Sequence, residues 1–326
     1  MSAITAAGAG EGGLLTSARA GDGEAFQMLV APHLPALQVH CYRMLGSFHD
    51  AEEAMQETLL RAWRGFDTYQ GRAPLRHWLY RIATTTCLKT REGRARQPAT
   101  VEDLTYLEPY PDRLLDRLPA DGGDPAAEVE RRESVSLAFV TALQLLPATQ
   151  SAVLILRDVL AWSSAEVADL LDTSVAAVNS ALQRARATLR SATPLASTRP
   201  LPDRERQIVA GFVRAWHRRD IDGLAALLRE DVIMRMPPES VDMYGRAAVT
   251  AFFATVPAQG RLETIRLVAV RANGQPALAA YEADGDGCYK PYGVMVLTIA
   301  DDAITVITGF PGPAIVEVVH HAADLG

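Results

Sequence analysis

Cysteine is scarce: Cys41, Cys87 and Cys288 are the whole complement of 326 residues. So odd and scattered a set forms neither a disulfide framework nor a zinc spacing, and it points to a reducing compartment. Aromatic residues make up only 6%, leaving the cores to Leu, Val and Ala. Met1–Leu15 contain no Lys, no Arg and no long apolar run, which excludes a secretory signal there. The charge-free stretch Ser134–Leu156 is interrupted by Gln144, Pro147, Thr149, Gln150 and Ser151. That pattern predicts two buried helices around a turn, not a membrane span. A soluble, cytoplasmic protein is expected. Hydrophobic residues at 48% and charged residues at 22% are ordinary globular values and exclude wholesale disorder. The length predicts two or three domains.

The net charge of −7 excludes a protein that coats nucleic acid without selection. Its distribution says more. Residues 61–96 hold nine Arg/Lys against two Asp/Glu, residues 97–133 hold four against ten, and residues 174–199 hold four against none. Two basic islands flank an acidic stretch.

The chain divides by composition. Residues 14–95 are Pro-poor and read as helical; 96–133 form a Pro-rich acidic connector; 134–192 are helical again. A Thr/Pro/Ser-rich joint over 193–203 precedes a domain at 204–320. That domain opens with a helix, Arg204–Arg218, burying Ile208, Phe212, Ala215 and Trp216. Strands are predicted at 262–272, 277–283, 288–299 and 303–310, joined by hairpin turns at Asn273-Gly274, Asp284–Gly287 and Asp301-Asp302. Helices followed by an antiparallel meander make an α+β fold.

The sharpest motif is a helix-turn-helix at 163–186. Ser163 with Glu166 forms a capping box. Val167, Leu170 and Leu171 supply a buried stripe, Asp172-Thr173-Ser174 breaks the helix, and Thr173 or Ser174 caps the next. The second helix is expected to bury Val175, Val178 and Leu182. It then presents Ser174, Ala176, Asn179, Ser180, Gln183, Arg184 and Arg186 outward, a set suited to base edges and phosphates in a major groove.

Two further constellations precede it. In Phe48–Trp63, inward packing of Ala51, Ala54, Met55, Thr58, Leu59 and Ala62 leaves Asp50, Glu52, Glu53, Gln56 and Glu57 as an acidic surface for a basic or helical partner. In Phe66–Ala83, Tyr69, Arg72, Arg76, His77, Trp78 and Arg81 interleave rings with cations, as holding unstacked single-stranded bases requires. At least half of those aromatics are expected in the core.

Asp50–Glu57, Arg76–Ala83 and the motif at 163–186, in this order across residues 14–192, resemble the two domains of bacterial extracytoplasmic-function RNA polymerase sigma factors of the sigma-70 superfamily. The resemblance implies two all-α sigma domains: a helical region 2 over 14–95 and a helix-turn-helix region 4 over 134–192. It implies that Asp50, Glu52, Glu53, Gln56 and Glu57 dock on the β′ clamp helices of core RNA polymerase, and that region 4 meets the β flap. Tyr69, Arg72, Arg76, His77, Trp78 and Arg81 would capture the melted −10 element. The 174–186 helix would read the −35 element. Leu107–Leu115 and Arg271–Pro276 resemble the subgroup that carries a C-terminal SnoaL-like domain, an α+β cone. The resemblance implies that this domain regulates the sigma factor to which it is fused.

No enzyme is expected. Trp216, His217, Asp220, Arg235, Tyr244, Arg246, Tyr281, Glu282 and Tyr289 form no motif that defines a reaction. Trp216, Tyr244 and Tyr281 are the expected lining of a C-terminal cavity, open to a small ligand of unknown identity. Asp284–Gly287 lacks the bidentate Glu of a calcium loop and is read as a hairpin, and His320-His321 as a tail. No cofactor or metal is expected. Two rival readings remain: a one-component regulator with a ligand-sensing C-terminal domain, which shares the helix-turn-helix but has no use for the motifs at 50–57 and 66–83, and an enzyme fused to a DNA-binding module, for which the sequence names no substrate.

Overall fold

The computed structural model describes residues 12–96, 107–118, 130, 132–192, 200–237, 239–284 and 288–320. In chain order the helices are α1 (12–19), α2 (Gly23–Val30), α3 (Leu34–Leu45), α4 (Phe48–Arg64), α5 (Leu75–Arg96), α6 (Asp112–Leu115), α7 (Leu137–Gln144), α8 (Ala148–Leu154), α9 (Ser164–Leu170) and α10 (Val175–Ala192). They continue with α11 (Pro202–His217), α12 (Ile221–Leu227), α13 (Arg246–Thr255) and α14 (Pro313–Val319). The strands are β1 (Leu228–Met236), β2 (Glu239–Tyr244), β3 (Ile265–Ala272), β4 (Gln275–Ala283), β5 (Tyr289–Ala300) and β6 (Ala303–Pro311).

Two compact units emerge, one of residues 1–97, 117–119 and 143–188, the other of 98–116, 120–142 and 189–326. The boundary falls within α7.

The described part of the first unit is helical, and local chemistry sets its breaks. Asp22 caps α2 by accepting from the Glu24 and Ala25 amides. Gly46, at φ +77°, ends α3 in the left-handed conformation that glycine adopts without strain. Ser47 then caps α4 through the Asp50 amide. Leu37, Tyr42, Met44, Leu45, Leu79 and Tyr80 fill the core between α3, α4 and α5. His40 is buried there, its Nε2 2.9 Å from the Thr84 hydroxyl. Burial, aided by Arg43, pulls its pKa down to about 3. Cys41 and Cys87 are buried free thiols, and Cys87 is pushed well up, first by its hydrogen bond with Cys41 and then by burial.

The uncharged stretch 134–156 contains α7 and α8, with Pro147 as the residue that starts α8. No described helix is long and apolar enough to cross a membrane. A π-helical turn over Ile155–Val159 follows α8.

The second unit is built on a mixed sheet ordered β2-β1-β6-β5-β4-β3. β3 through β6 form the expected antiparallel meander, whereas β1 runs parallel to β6. Bulges at Ala280/Tyr281 and Thr298/Ile299 interrupt the register, and such bulges bend a sheet. One face packs on α11 and α13 through Phe212, Trp216, Val249, Phe253, Leu278 and Leu297. The opposite face buries Ala277, Ala279, Tyr281, Val294, Val296 and Phe310 against Val316 and Val319 of α14 and against Leu137. Of the turn predicted at Asp284–Gly287, residues 285–287 lie outside the described residues, as does His321.

Candidate nucleic-acid and partner interfaces

The helix-turn-helix closes as its local signals require. Ser163 and Glu166 make both bonds of the capping box. The Ser174 hydroxyl accepts from the Ala177 amide, so Ser174, not Thr173, starts α10. Asp172 takes φ +52° at the turn where glycine is usual, a conformation Asp tolerates. Val178 and Leu182 are buried as expected, but Val175 is 45% exposed. It sits in the first turn, and Ala181 and Ala185 complete the buried stripe instead.

Ser174, Ala176, Asn179, Ser180, Gln183, Arg184 and Arg186 are all exposed. Besides the Ser174 cap, four of them take part in bonds within the unit. Asn179 accepts from Ser164, Arg184 donates to Ser180, and Arg186 holds Asp158 through two bonds of 2.9 and 2.7 Å. The Asp158 carboxylate raises the pKa of Arg186 above its already high ordinary value. Arg186 therefore ties the recognition helix to the π-helical turn.

On α4, Glu52, Glu53 and Gln56 are exposed. Glu57 pairs with Arg61 at 2.6 Å, and Asp50 pairs with Arg94 of α5. The acidic surface is thus narrower than the composition implies, because one of its carboxylates fastens α4 to α5. Leu60 and Trp63 extend the exposed stripe toward the end of the helix.

The aromatics at 66–83 mostly turn inward. Tyr69 is 7% exposed, donates its hydroxyl to the Ala73 carbonyl, and packs with Phe66 and Trp78. Trp78 is half-buried in that cluster, so neither ring is open to a base. Arg72, Arg76 and Arg81 are exposed, with Arg76 lying over the Tyr80 ring at 5.5 Å. His77 is half-buried, stacked on Trp162 at 4.2 Å between ring centroids. Part of the basic island is structural: Arg91 donates to the Leu146 carbonyl at 2.8 Å.

The proposed C-terminal lining does not converge. Trp216 belongs to the α11/α13 face of the sheet and Tyr281 to the opposite face, because alternate residues of a strand point to opposite sides. Tyr244 is 66% exposed and donates to Asp242. Trp216 buries an indole N–H without a partner. Three of the polar candidates hold structural bonds. His217 accepts from the Leu267 amide, Asp220 caps α12 through Gly223, and Arg246 donates to the Leu228 carbonyl. Tyr281 bonds His320 at 2.6 Å. No group of metal-ligating side chains lies together among the described residues.

The feature that sequence reasoning missed is the fate of the connector. Residues 107–116 are packed into the second unit, with Glu108, Tyr110, Asp112 and Leu115 buried. The β3–β4 turn holds them. The Asn273 side chain accepts from the Tyr110 amide and donates to the Val135 carbonyl, while the Asn273 amide donates to the Tyr110 carbonyl. Asp112 accepts from the Gly274 amide at 2.7 Å and from Arg271 at 3.2 Å. Burial lifts the Asp112 carboxyl above its ordinary range, with the Gly274 and Arg271 bonds pulling the other way. Gln275 accepts from the Leu137 amide at the start of α7. One turn therefore grips the chain inside the connector, at Tyr110 and Asp112, and again just beyond it, at Val135 and Leu137. The paired motifs at 107–115 and 271–276 were the available signal.

Comparison with known proteins places these features. The family model for Sigma-70 region 2 matches residues 29–97, that for Sigma-70 region 4 matches 136–189, and that for the SnoaL-like domain matches 209–307. The chain is 42% identical to the ECF RNA polymerase sigma factor SigG of Mycobacterium tuberculosis over 305 residues, covering 87% of this chain and 80% of that protein. It is 31% identical to the M. tuberculosis ECF RNA polymerase sigma factor SigJ over 191 residues, 59% of this chain and 58% of that one. The crystal structure of M. tuberculosis SigJ shares the fold, with a TM-score of 0.61 at 22% identity, covering 91% of this chain and 99% of that one.

Proposed function

The chain belongs to the extracytoplasmic-function RNA polymerase sigma factors, with a SnoaL-like domain fused behind region 4, and on that premise we propose how its parts divide promoter recognition. Region 2, over 14–95, joins core polymerase at the β′ clamp helices through Glu52, Glu53 and Gln56, the acidic-face residues that are exposed and have no ion pair among those described. Region 4, over 134–192, meets the β flap and reads the −35 element with Asn179, Ser180, Gln183 and Arg184. Arg72, Arg76, His77 and Arg81 hold the melted −10 strand. The protein acts in the cytoplasm, and it is not an enzyme: His217, Asp220 and Arg246 already serve the fold.

The SnoaL-like domain, over 204–320, regulates the sigma factor through the connector at 96–133. The observation that carries this reading is the bonding of Asn273 to both Tyr110, inside the connector, and Val135, just beyond its end. A domain that holds the chain at these two points restrains how far region 2 and region 4 can separate. The covalent joint keeps the contact at high effective concentration, so modest bonds suffice.

Run-off transcription with core polymerase tests both parts, comparing the full chain, the full chain with Asn273→Ala, and a chain stopped near Thr198. Promoter-specific initiation is expected from the full chain, with output changed in the same direction by the substitution and the truncation. Higher output makes the domain an inhibitor; lower output makes it a required element. Equal output from all three removes the regulatory reading.

A further inference from the structure

The two promoter-reading regions meet within the first unit, and the contact falls on residues assigned above to melted DNA. Trp162, immediately before α9, stacks on His77 with ring planes 30° apart and meets Tyr80 edge-on at 5.6 Å. It is 5% exposed, and its carbonyl accepts from Arg157. Two carboxylates of α9 flank it: Glu166 lies 3.8 Å from His77 Nδ1, and Asp169 lies 3.7 Å from Arg81. A planar indole on the imidazole, with one acid beside that ring and another opposite the Arg81 guanidinium, repeats what a stacked base and its phosphates would offer.

We propose that Trp162, Glu166 and Asp169 occupy the single-strand site of region 2 in the free protein, so that melted promoter DNA and α9 compete for His77 and Arg81. The proposal rests on the sigma reading of region 2 and deepens it. The recognition face of α10 stays exposed in the same state. The free chain is therefore open to duplex DNA and closed to the single strand. Opening requires α9 to leave α5, a movement that docking on core polymerase would drive. The Arg81–Asp169 pair is solvent-exposed and weak, so the stacked, desolvated ring supplies most of the closure. Such a seal is marginal, and it lowers apparent affinity for the strand by the fraction of chains that are open.

The test measures binding of the full chain to a fluorescein-labelled single-stranded oligonucleotide, the non-template −10 strand of a promoter used in the run-off assay. Trp162→Ala is expected to tighten binding by about tenfold, within reach of one lost aromatic contact. Glu166→Gln with Asp169→Asn, both on exposed acids, is expected to tighten it by about threefold without risk to the helix-turn-helix core. Adding His77→Ala to either background should abolish the gain, separating a freed site from a general change of charge. If both backgrounds keep wild-type helix content and bind the oligonucleotide no more tightly than wild type, the proposal is wrong. If wild type also fails to initiate with core polymerase, the assigned role of region 2 fails with it; if wild type initiates, only the competition is rejected.

Discussion

Tyr110 and Asn273 lie 163 positions apart and exchange two hydrogen bonds, each 2.8 Å long. Asn273 is fully buried and sits at φ +58°, so its side chain satisfies Tyr110 and Val135 from a backbone conformation that Ala resists. Asn273→Ala should destabilise the second unit by about 2–4 kcal/mol, the cost of two buried polar groups left unpaired plus the backbone term. Denaturation of the full chain measures it. Proteolysis within 107–116 should quicken in parallel.

His40 titrates against the fold. Its pKa is about 3 in the folded chain against an ordinary value of 6.5, so the unfolded chain binds the proton first as pH falls. Stability is full above pH 6.5 and declines as pH falls toward 3, by at most about 1.4 kcal/mol per pH unit. His40→Gln, which keeps a donor for Thr84, should flatten that part of a urea-midpoint profile.

Asp112 behaves in the opposite sense. Burial raises its folded pKa above 3.8, so protonation favours the folded chain and stability declines as pH rises from 3.8 through the raised value. Asp112→Asn should remove this slope, read by comparing the two chains across mildly acid pH.

On α4 the acidic residues should separate by role. Glu53→Lys is expected to weaken core-polymerase binding by about tenfold, a loss of roughly 1.4 kcal/mol, with melting unchanged. Asp50→Asn, which releases Arg94, should instead lower stability by less than about 1 kcal/mol, since the Arg94 side chain is 38% exposed. A fluorescence competition assay and a thermal melt distinguish them.

Arg184 and Arg186 of α10 should also differ. Arg184→Ala should weaken duplex binding and reduce its salt slope by about one. Asp158→Asn should strengthen duplex binding, because it frees Arg186 from a carboxylate that now holds it at 2.7 Å. Salt titrations of promoter binding measure both.

The parts legible in the sequence were those written in local chemistry. Ser163 with Glu166 marked a helix start, and Asn273-Gly274 marked a hairpin, because caps and turns need particular residues at short spacing. β1 and β2 escaped notice. Arg229, Glu230 and Asp231 put three charges in succession into β1, which masks the alternation of a strand, and its parallel pairing with β6 joins segments far apart in the chain. The inward turn of Tyr69 and the sealing of His77 by Trp162 depend on residues distant in sequence. Neither spacing nor composition records such packing.

β6 lies in the middle of the sheet, between β1 and β5, yet it is the last strand in the chain. During synthesis the sheet cannot close until that strand has left the ribosome, and α7, whose Leu137 packs on the sheet, waits with it, whereas region 2 and the helix-turn-helix depend on nothing so far downstream. Each new molecule therefore completes its promoter-reading helices before the hold on its connector can form. A premature stop before Ala303 has a matching effect: it removes the strand to which both β1 and β5 pair, so the sheet's hold on the connector would be lost in a step and not a gradient.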